Sequence, residues 1–492
     1  MSQPVPSPLH LQFDLRDEAP VYQQIYERIR GAILGGAAPP GSRLPSWNAL
    51  AAELGVARGT VKAAYEWLAG EGYILAEGAA GTRVNAGLRP EALTRRLDER
   101  LPRLSDAAFL TPAGSYPWGA APRLFQVGVP AVDAFPRSAW SRLVARHARK
   151  LGPAAMTYPD PAGYPPLREA VVRYLAIARG VVCAPDQVFI TAGYTGALDL
   201  VTRALLRPRD PVWIEDPCYP RTREALDLAG ARLVPVPVDD EGMDVASGIA
   251  AEGKARFAVV TPSHQAPLGM ALSLPRRLAL LAWAQQSGGW IVEDDYYGEF
   301  QFRGRPVPAL KSLDQADRVI YVGTFSKVLM PSLRLGYIVA PQALAPQLRR
   351  IASFLAPSQA LLAQMAVADF IAEGHFARHI RRMRRIYRAR RAAVVKALEA
   401  GFGARWEIGL QESGMHLLAR LPPGSDDAAL AARRAVAALG PVALSPWAVK
   451  APCGPGLIMG FANIAERRAG AAVAQLANAL NIAPESRRRR GA

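Results

Sequence analysis

The stretch "YVGTFSKVLMPSLRLGYIVAP", Tyr321 to Pro341, sets a serine, a lysine and an arginine in a turn between two apolar runs. A lysine amine condenses with carbonyl compounds where its pKa is lowered or the imine is otherwise stabilised. Lys327 follows the strand-like "RVIYVGT", at the carboxyl end of a sheet strand. That edge is where open α/β folds bind ligands. A lysine alone in a turn is ordinarily just solvated, so its company decides the matter. "WIVEDDYYGEF" is an apolar strand ending in acids. Asp294 or Asp295 can keep a ring nitrogen protonated, and Tyr296 can hydrogen-bond a phenolic oxygen. "QVFITAGYTGALDLVTRAL" reads as strand, glycine turn and helix, with Leu198, Val201 and Leu205 on one helical face. The start of that helix, Tyr194-Thr195, offers backbone N–H groups and a positive dipole end to a phosphate. Thr324, Ser326 and Arg334 flank the lysine and complete the anion site. "EDPCYPRTR" adds Tyr219 as a stacking ring and Arg221 as a cation for a substrate carboxylate. A carbonyl-binding lysine, a ring acid, a phosphate cradle and a flat partner are what pyridoxal 5′-phosphate requires.

The elements that must position these residues are a series of apolar strands alternating with helical patterns. "QVFITAG", "PVWIEDP", "RLVPVPVD", "RFAVVTP", "WIVEDDY", "RVIYVGT" and "LGYIVAP" are the strands. Continuous apolar strands of this kind predict a doubly wound, mostly parallel sheet covered on both faces. From about residue 345 the pattern turns helical ("HFARHIRRMRRIYRARRAAVVKALEAG") with later strand-like pieces such as "GMHLLARL", which predicts a smaller α+β lobe. The arginine run of that long helix reads as a solvated face.

A different module precedes them. "PVYQQIYERIRGAILGG" spaces Ile25, Ile29 and Ile33 four apart behind Val21, a helix ended by Gly35-Gly36. "WNALAAELGV" gives a short helix stopped at Gly55, and "ARGTVKAAYEWLAGEGY" a third with Val61, Ala64, Tyr65 and Leu68 inward. "YILAEGAAGTRVNA" then reads as two short strands around a glycine-rich turn. Three helices and a hairpin are the plan of a winged helix-turn-helix, whose second motif helix reads the major groove from its first turn. Here that turn carries Arg58, Gly59, Thr60 and Lys62. The cations suit phosphates or guanine, Thr60 suits a phosphate, and Gly59 allows close approach.

The boundaries expected are 15–86 for the winged helix-turn-helix and 87–118 for a Pro/Gly-bearing linker. The large domain is expected over 119–345, the smaller lobe over 346–482 and a basic tail over 483–492. At 492 residues the chain exceeds what one core serves. Its net charge of +17 and pI near 10.1 favour a polyanionic partner such as nucleic acid. Cys183, Cys218 and Cys453 form no C-x-x-C pair and suit a reducing cytoplasm. No signal peptide or membrane span is expected, and His375, His379 and His416 lack metal-like partners, so no metal is expected.

"YQQIYERIRGAILGGAAPPGSRLPSWNALAAELGVARGTVKAAYEWLAGEGYI" resembles the winged helix-turn-helix of the GntR regulators over essentially its full length. The resemblance implies double-stranded promoter DNA as partner and adds Arg43 and Ser46 to the DNA contacts. Three positions depart from the family pattern. Asn48 stands where an arginine is usual, and Ala57 where a serine would cap the third helix. Glu77 lies in the wing where a phosphate contact is expected. From about residue 120 to 480 the chain resembles a fold-type I aminotransferase, and the tandem resembles the MocR-type regulators. "YPDPAGYPPLREAV", "TPSHQAPLG", "IVEDDYYGEF" and the lysine stretch carry that likeness. It implies that Lys327 bears the cofactor as a Schiff base, Asp294 pairs its ring nitrogen and Tyr296 its phenolic oxygen. Thr324, Arg334 and Tyr194-Thr195 would hold the phosphate. Tyr158 would reach the phosphate of a neighbouring subunit, which implies a head-to-tail homodimer. Two further departures concern the ligand. Ile458 replaces the arginine that clamps a substrate carboxylate, and Ala266 replaces the asparagine of N-P-x-G, leaving His264 and Gln265 as substitutes. The function expected is a DNA-binding regulator that senses pyridoxal phosphate, a small amine or an amino acid. A working aminotransferase tethered to DNA is the alternative, and a cofactor-free relic a third reading that Lys327, Asp294 and Arg334 oppose.

Overall fold

The computed structural model describes residues 19–78, 81–88, 121–302, 308–355, 360–409, 411 and 413–482. The chain divides into two compact units, residues 1–118 and 119–492. The basic tail and nearly all of the expected linker lie outside the described residues.

In the first unit α1 (Val21–Leu34), α2 (Trp47–Leu54) and α3 (Arg58–Gly70) enclose one small core. Ile25, Ile29 and Ile33 bury the inner face of α1, and Val61, Ala64, Tyr65 and Leu68 that of α3. The Ser46 hydroxyl caps α2 by accepting from the Ala49 amide at 3.1 Å, and Gly55 ends it in the left-handed region. Ala57 gives α3 no side-chain cap. Tyr65 locks α3 to the preceding turn, its hydroxyl donating to the Pro45 carbonyl at 2.9 Å. Strands β1 (Arg43–Leu44), β2 (Ile74–Ala76) and β3 (Thr82–Val84) form an antiparallel sheet in the order β1-β3-β2. Within this wing Arg83 pairs with Glu77 at 3.2 Å, so the acid that departs from the family pattern occupies the wing's own cation.

The second unit is built on an eight-stranded sheet. Its strands are β4 (Val188–Thr191), β5 (Pro211–Asp216), β6 (Arg232–Asp239), β7 (Gly242–Met243), β8 (Phe257–Val260), β9 (Trp290–Asp294), β10 (Val319–Thr324) and β11 (Gly336–Val339). They lie in the order β4-β11-β10-β9-β8-β5-β6-β7. Pairs among β6, β5, β8, β9 and β10 are parallel, whereas β11 runs antiparallel to both β10 and β4. All seven apolar runs read from the sequence are strands of this sheet. Alternation sends successive side chains to opposite faces. Ile320 and Val322 pack with Leu198, Val201 and Leu205 on one side, while Val319 and Tyr321 pack on the other.

The smaller antiparallel sheet has the order β12 (Glu407–Gly409), β13 (His416–Arg420), β15 (Gly456–Gly460) and β14 (Val442–Ala443). One face packs on the long helix His375–Phe402 and the helix Ala469–Ala479. The arginine run of the long helix is not simply a solvated face. Arg384 donates to the Glu299 carbonyl, and buried Arg390 pairs with Asp133 and donates to the Ala462 carbonyl. Carbonyls of the buried residues Glu299 and Ala462 within reach of a guanidinium fork explain the difference, because Arg can satisfy several acceptors at once.

Behind β9 and β10 sits a dry ion pair. Arg179 Nε donates to Asp295 Oδ2 at 2.6 Å and its Nη2 to Ser263 Oγ at 2.8 Å. The Tyr321 hydroxyl donates to the same Asp295 oxygen at 2.7 Å. Both partners are 1 % exposed at their side chains, so each charge depends on the other. Asp295→Asn leaves Arg179 with its nearest counter-charge gone. We expect a loss of about 3 kcal/mol in chemical denaturation of the full chain. A loss below about 1 kcal/mol would mean that the pair behaves as a surface ion pair.

Candidate functional site

The hairpin β10–β11 puts its connecting segment, Phe325 to Leu335, at the carboxyl edge of the parallel strands. Lys327 and Arg334 are therefore carried to the same edge as Asp294, the last residue of β9, whose Cα partner on β10 is Val322. Lys327 is half-buried, and its Nζ donates to the Gly128 carbonyl at 2.9 Å. Gly128 has φ +78°, and a Cβ there would stand 2.6 Å from Nζ, so the lysine packs directly on glycine backbone. Burial pulls the Lys327 pKa down to about 8; Asp294 pulls it up, and Arg334 pushes it down. An amine of that pKa is neutral often enough near neutral pH to act as a nucleophile.

The two adjacent aspartates separate into different roles. Asp295 is consumed by Arg179, whereas Asp294 lies within electrostatic reach of Lys327. Burial, then the charge of Asp295, holds the Asp294 carboxyl well above the usual carboxylate range. A buried acid of this kind gains from a proton-sharing ring nitrogen. Tyr296 follows, and its buried hydroxyl has no hydrogen-bond partner among the described residues. A phenolic oxygen would satisfy it.

Three elements supply groups suited to a phosphate. Gly193–Leu205 starts the helix after β4 with no side-chain cap at Ala192, leaving its first-turn N–H groups for an anion. Arg334, at φ 48°, donates through Nη2 to Thr195 Oγ1 at 3.2 Å. Thr324 Oγ1 accepts from the Ser326 amide at 3.1 Å, shaping the turn that precedes the lysine. Tyr194 contributes backbone only, since its hydroxyl lies 2.7 Å from Thr222 Oγ1. Tyr219 lies between Tyr194 and Trp447, with ring centroids 6.5 and 5.7 Å away. Arg221 is half-buried in the first turn of the helix that follows. Residues 158 and 264 differ in placement: Tyr158 is fully exposed, whereas His264 is buried beside Tyr296 at 5.9 Å. These residues fit pyridoxal phosphate: Lys327, Asp294 and Tyr296 are suited to its reactive ring, and the helix start with Arg334 to its phosphate. Ile458 is fully buried with Leu418 and Leu444 in an apolar cluster, and Gln265 is spent on the Pro217 carbonyl at 2.7 Å.

Sequence reasoning missed several contributors. Asp216 accepts from the Val449, Lys450 and Ala451 amides at 2.7, 2.7 and 2.8 Å and so fixes the small-lobe loop that brings Trp447 against Tyr219. His379, on the long helix, lies 2.8 Å from the Val328 carbonyl next to the lysine. Gly128 is reachable from sequence only through the "QVGVP" turn, which carries no polar side chain. In the first unit Arg43, Ser46, Arg58, Gly59 and Lys62 are exposed and Thr60 is half-exposed. The Ser46 hydroxyl is already used as a cap, and Lys62 lies 3.7 Å from Glu66. No group of residues able to hold a metal occurs among the described residues, and no helix there is long and apolar enough to cross a membrane.

Residues 130–447 match the family described as aminotransferase class I and II, and residues 21–84 that of the bacterial regulatory proteins, gntR family. The chain is 40 % identical over 462 residues to the probable rhizopine catabolism regulatory protein MocR of Rhizobium meliloti, with 92 % of each chain covered. It is 34 % identical to the pyridoxine biosynthesis regulator PdxR of Corynebacterium glutamicum, covering 76 % of this chain and 78 % of that one. Among solved structures, the α-aminoadipate aminotransferase LysN of Thermus thermophilus, complexed with N-(5′-phosphopyridoxyl)-L-leucine, aligns with a TM-score of 0.66. That alignment has 32 % identity and covers 73 % of this chain and 92 % of the enzyme. A GntR head ahead of an aminotransferase-like domain, and this likeness along nearly the whole length, make the chain a member of the MocR-type family of helix-turn-helix transcriptional regulators.

Proposed function

We propose that the chain is a promoter-bound regulator whose aminotransferase-like domain holds pyridoxal 5′-phosphate on Lys327 and responds to an amine, an amino acid or the cofactor itself. One observation carries the reading: a lysine of lowered pKa lies at the same sheet edge as the strand-end acid Asp294, whose own pKa is raised. Bound pyridoxal phosphate supplies an aldehyde that condenses reversibly with primary amines. Lys327 provides the resident amine. Asp294 holds the proton at the ring nitrogen, and the Tyr296 hydroxyl meets the phenolic oxygen. Tyr194, Thr195, Thr324, Ser326 and Arg334 take the phosphate, and Tyr219 covers the ring. The Gly128 carbonyl would accept a hydrogen bond from the Lys327 amine whenever it is free, so its donor is not left unpaired. An effector that carries a carboxylate would meet its cation in Arg221. Effector exchange then acts as a population shift between arrangements that grip DNA differently. Arg43, Ser46, Arg58, Gly59, Thr60 and Lys62 meet double-stranded promoter DNA. The full exposure of Tyr158 supports a head-to-tail homodimer in which it reaches the partner's phosphate. The relation to PdxR supports the cofactor as its own signal.

A second reading, turnover as an aminotransferase, draws on 34 % identity over 308 residues to the 2-aminoadipate transaminase of Thermus thermophilus, covering 61 % of this chain. Burial of Ile458 in the apolar cluster favours regulation, because the bidentate clamp that orients an amino acid is replaced by a methyl-bearing side chain.

Pure protein incubated with pyridoxal phosphate should gain a visible to near-UV band that Lys327→Ala lacks; a colourless wild type contradicts the reading. Cofactor uptake should accelerate as pH rises through about 8 and level above it, since the neutral amine is the reactive form. An inflection near the ordinary lysine value of ~10.5 would mean that burial does not tune the group. Arg58→Ala with Lys62→Ala should abolish promoter retention at moderate salt and flatten the salt dependence by ~2 in log–log slope. Unchanged retention would remove α3 as the recognition helix.

A further inference from the structure

Two histidines outside the phosphate cradle form a buried polar wall. His264 and His416 are 1 % and 3 % exposed, with ring centroids 5.1 Å apart. His264 Nδ1 lies 2.6 Å from Ser413 Oγ, and its ring meets Tyr296 and Tyr297 at 5.9 and 5.4 Å. His416 Nε2 lies 3.1 Å from the Pro267 carbonyl. A carbonyl only accepts, so Nε2 carries the proton and Nδ1 is left as a bare acceptor. His416 Nδ1, His264 Nε2 and the Tyr296 hydroxyl all lack hydrogen-bond partners among the described residues. Buried polar atoms are nearly always paired. With Tyr296 assigned to the cofactor's phenolic oxygen, the two open histidine nitrogens indicate a place for another molecule's polar group. Gly414, at φ +88°, keeps His264 Nε2 clear, since a Cβ there would stand 2.9 Å from it.

The small sheet relates this wall to the lost clamp. His416 pairs with Gly460 and Leu418 with Ile458 on β13 and β15. Directly opposed residues share a face, as do residues two apart. His416 therefore sits one rung along from position 458, on the same face. That face packs on Val127 and Leu268 of the site side, and Lys327 is near enough to lower the ionisation of His416. Burial keeps both rings neutral, His264 well below its ordinary pKa and His416 down to about 4. A carboxylate facing the bare Nδ1 would set acceptor against acceptor with no counter-charge. A hydroxyl donates to that nitrogen and keeps a lone pair for its neighbour.

We propose that the His264–His416 pair reads the end of the effector remote from its amine, and that this end is an uncharged hydroxyl, making the effector an amino alcohol. The inference rests on the reading of Lys327 as the amine-exchanging residue. It is tested on the full-length, cofactor-loaded protein by titrating its absorption band with aminopropanol, β-alanine and propylamine, which share a chain length and differ at the far end. Aminopropanol should half-saturate at a concentration at least ~10-fold below either of the others. His416→Phe should erase that advantage, and His416→Asn, which keeps an acceptor, should restore part of it. A colourless protein would contradict the reading of Lys327. In a coloured protein, a preference for β-alanine, equal responses to the three probes, or no response to any overturns the hydroxyl inference alone. The ranking in the wild type needs no variant to fold.

Discussion

The working of this site depends on how the charge of one lysine is balanced. Lys327 is drawn out of water far enough that its ammonium is disfavoured, yet Asp294 stands near enough to keep it from becoming an inert apolar group. Arg334 tilts the balance again towards the neutral amine. Burial is the largest of these effects, and their sum moves the group to about 8. The fold achieves this through one topological feature, the antiparallel return of β11 beside β10 in an otherwise parallel neighbourhood. That return delivers lysine and arginine to the edge where β9 delivers the acid.

The rest of the second unit can be understood as support for that edge. The Arg179–Asp295–Tyr321 network takes the second aspartate out of play, so only Asp294 serves the site. The segment that carries Gly128 is strapped to the small lobe. The Tyr387 hydroxyl lies 3.1 Å from the Ala131 amide, and Asn463 Nδ2 donates to the Val129 carbonyl at 3.1 Å. The lysine's resting carbonyl thus belongs to a segment held by the small lobe, and Asp216 fixes the loop that closes over Tyr219. Direct hydrogen bonds therefore connect the surroundings of the amine to both lobes.

Much of this was legible in the sequence. The seven strands announce themselves because strands buried on both faces are largely apolar runs, and the head because its periodicity, caps and turns agree with one another. The placement of Lys327, Asp294, Tyr296 and Arg334 at one sheet edge was legible because each lies at or just beyond a strand end of recognisable pattern. What stayed hidden was contact between distant segments. The choice between Asp294 and Asp295 is decided by Arg179, 116 residues away, and the partner of Lys327 is a carbonyl 199 residues away. His416 shares a wall with His264 across the interface of two sheets and has no local signal at all. The long helix's arginines looked solvated because helical periodicity marks the face and not what lies against it.

The central claim is that one amine, at position 327, is the cofactor's attachment point. The most direct measurement is borohydride reduction of the cofactor-loaded protein followed by peptide mass mapping. The account predicts a single phosphopyridoxyl group on Lys327. Label spread over exposed lysines such as Lys62, or absent from the peptide containing Lys327, would contradict it.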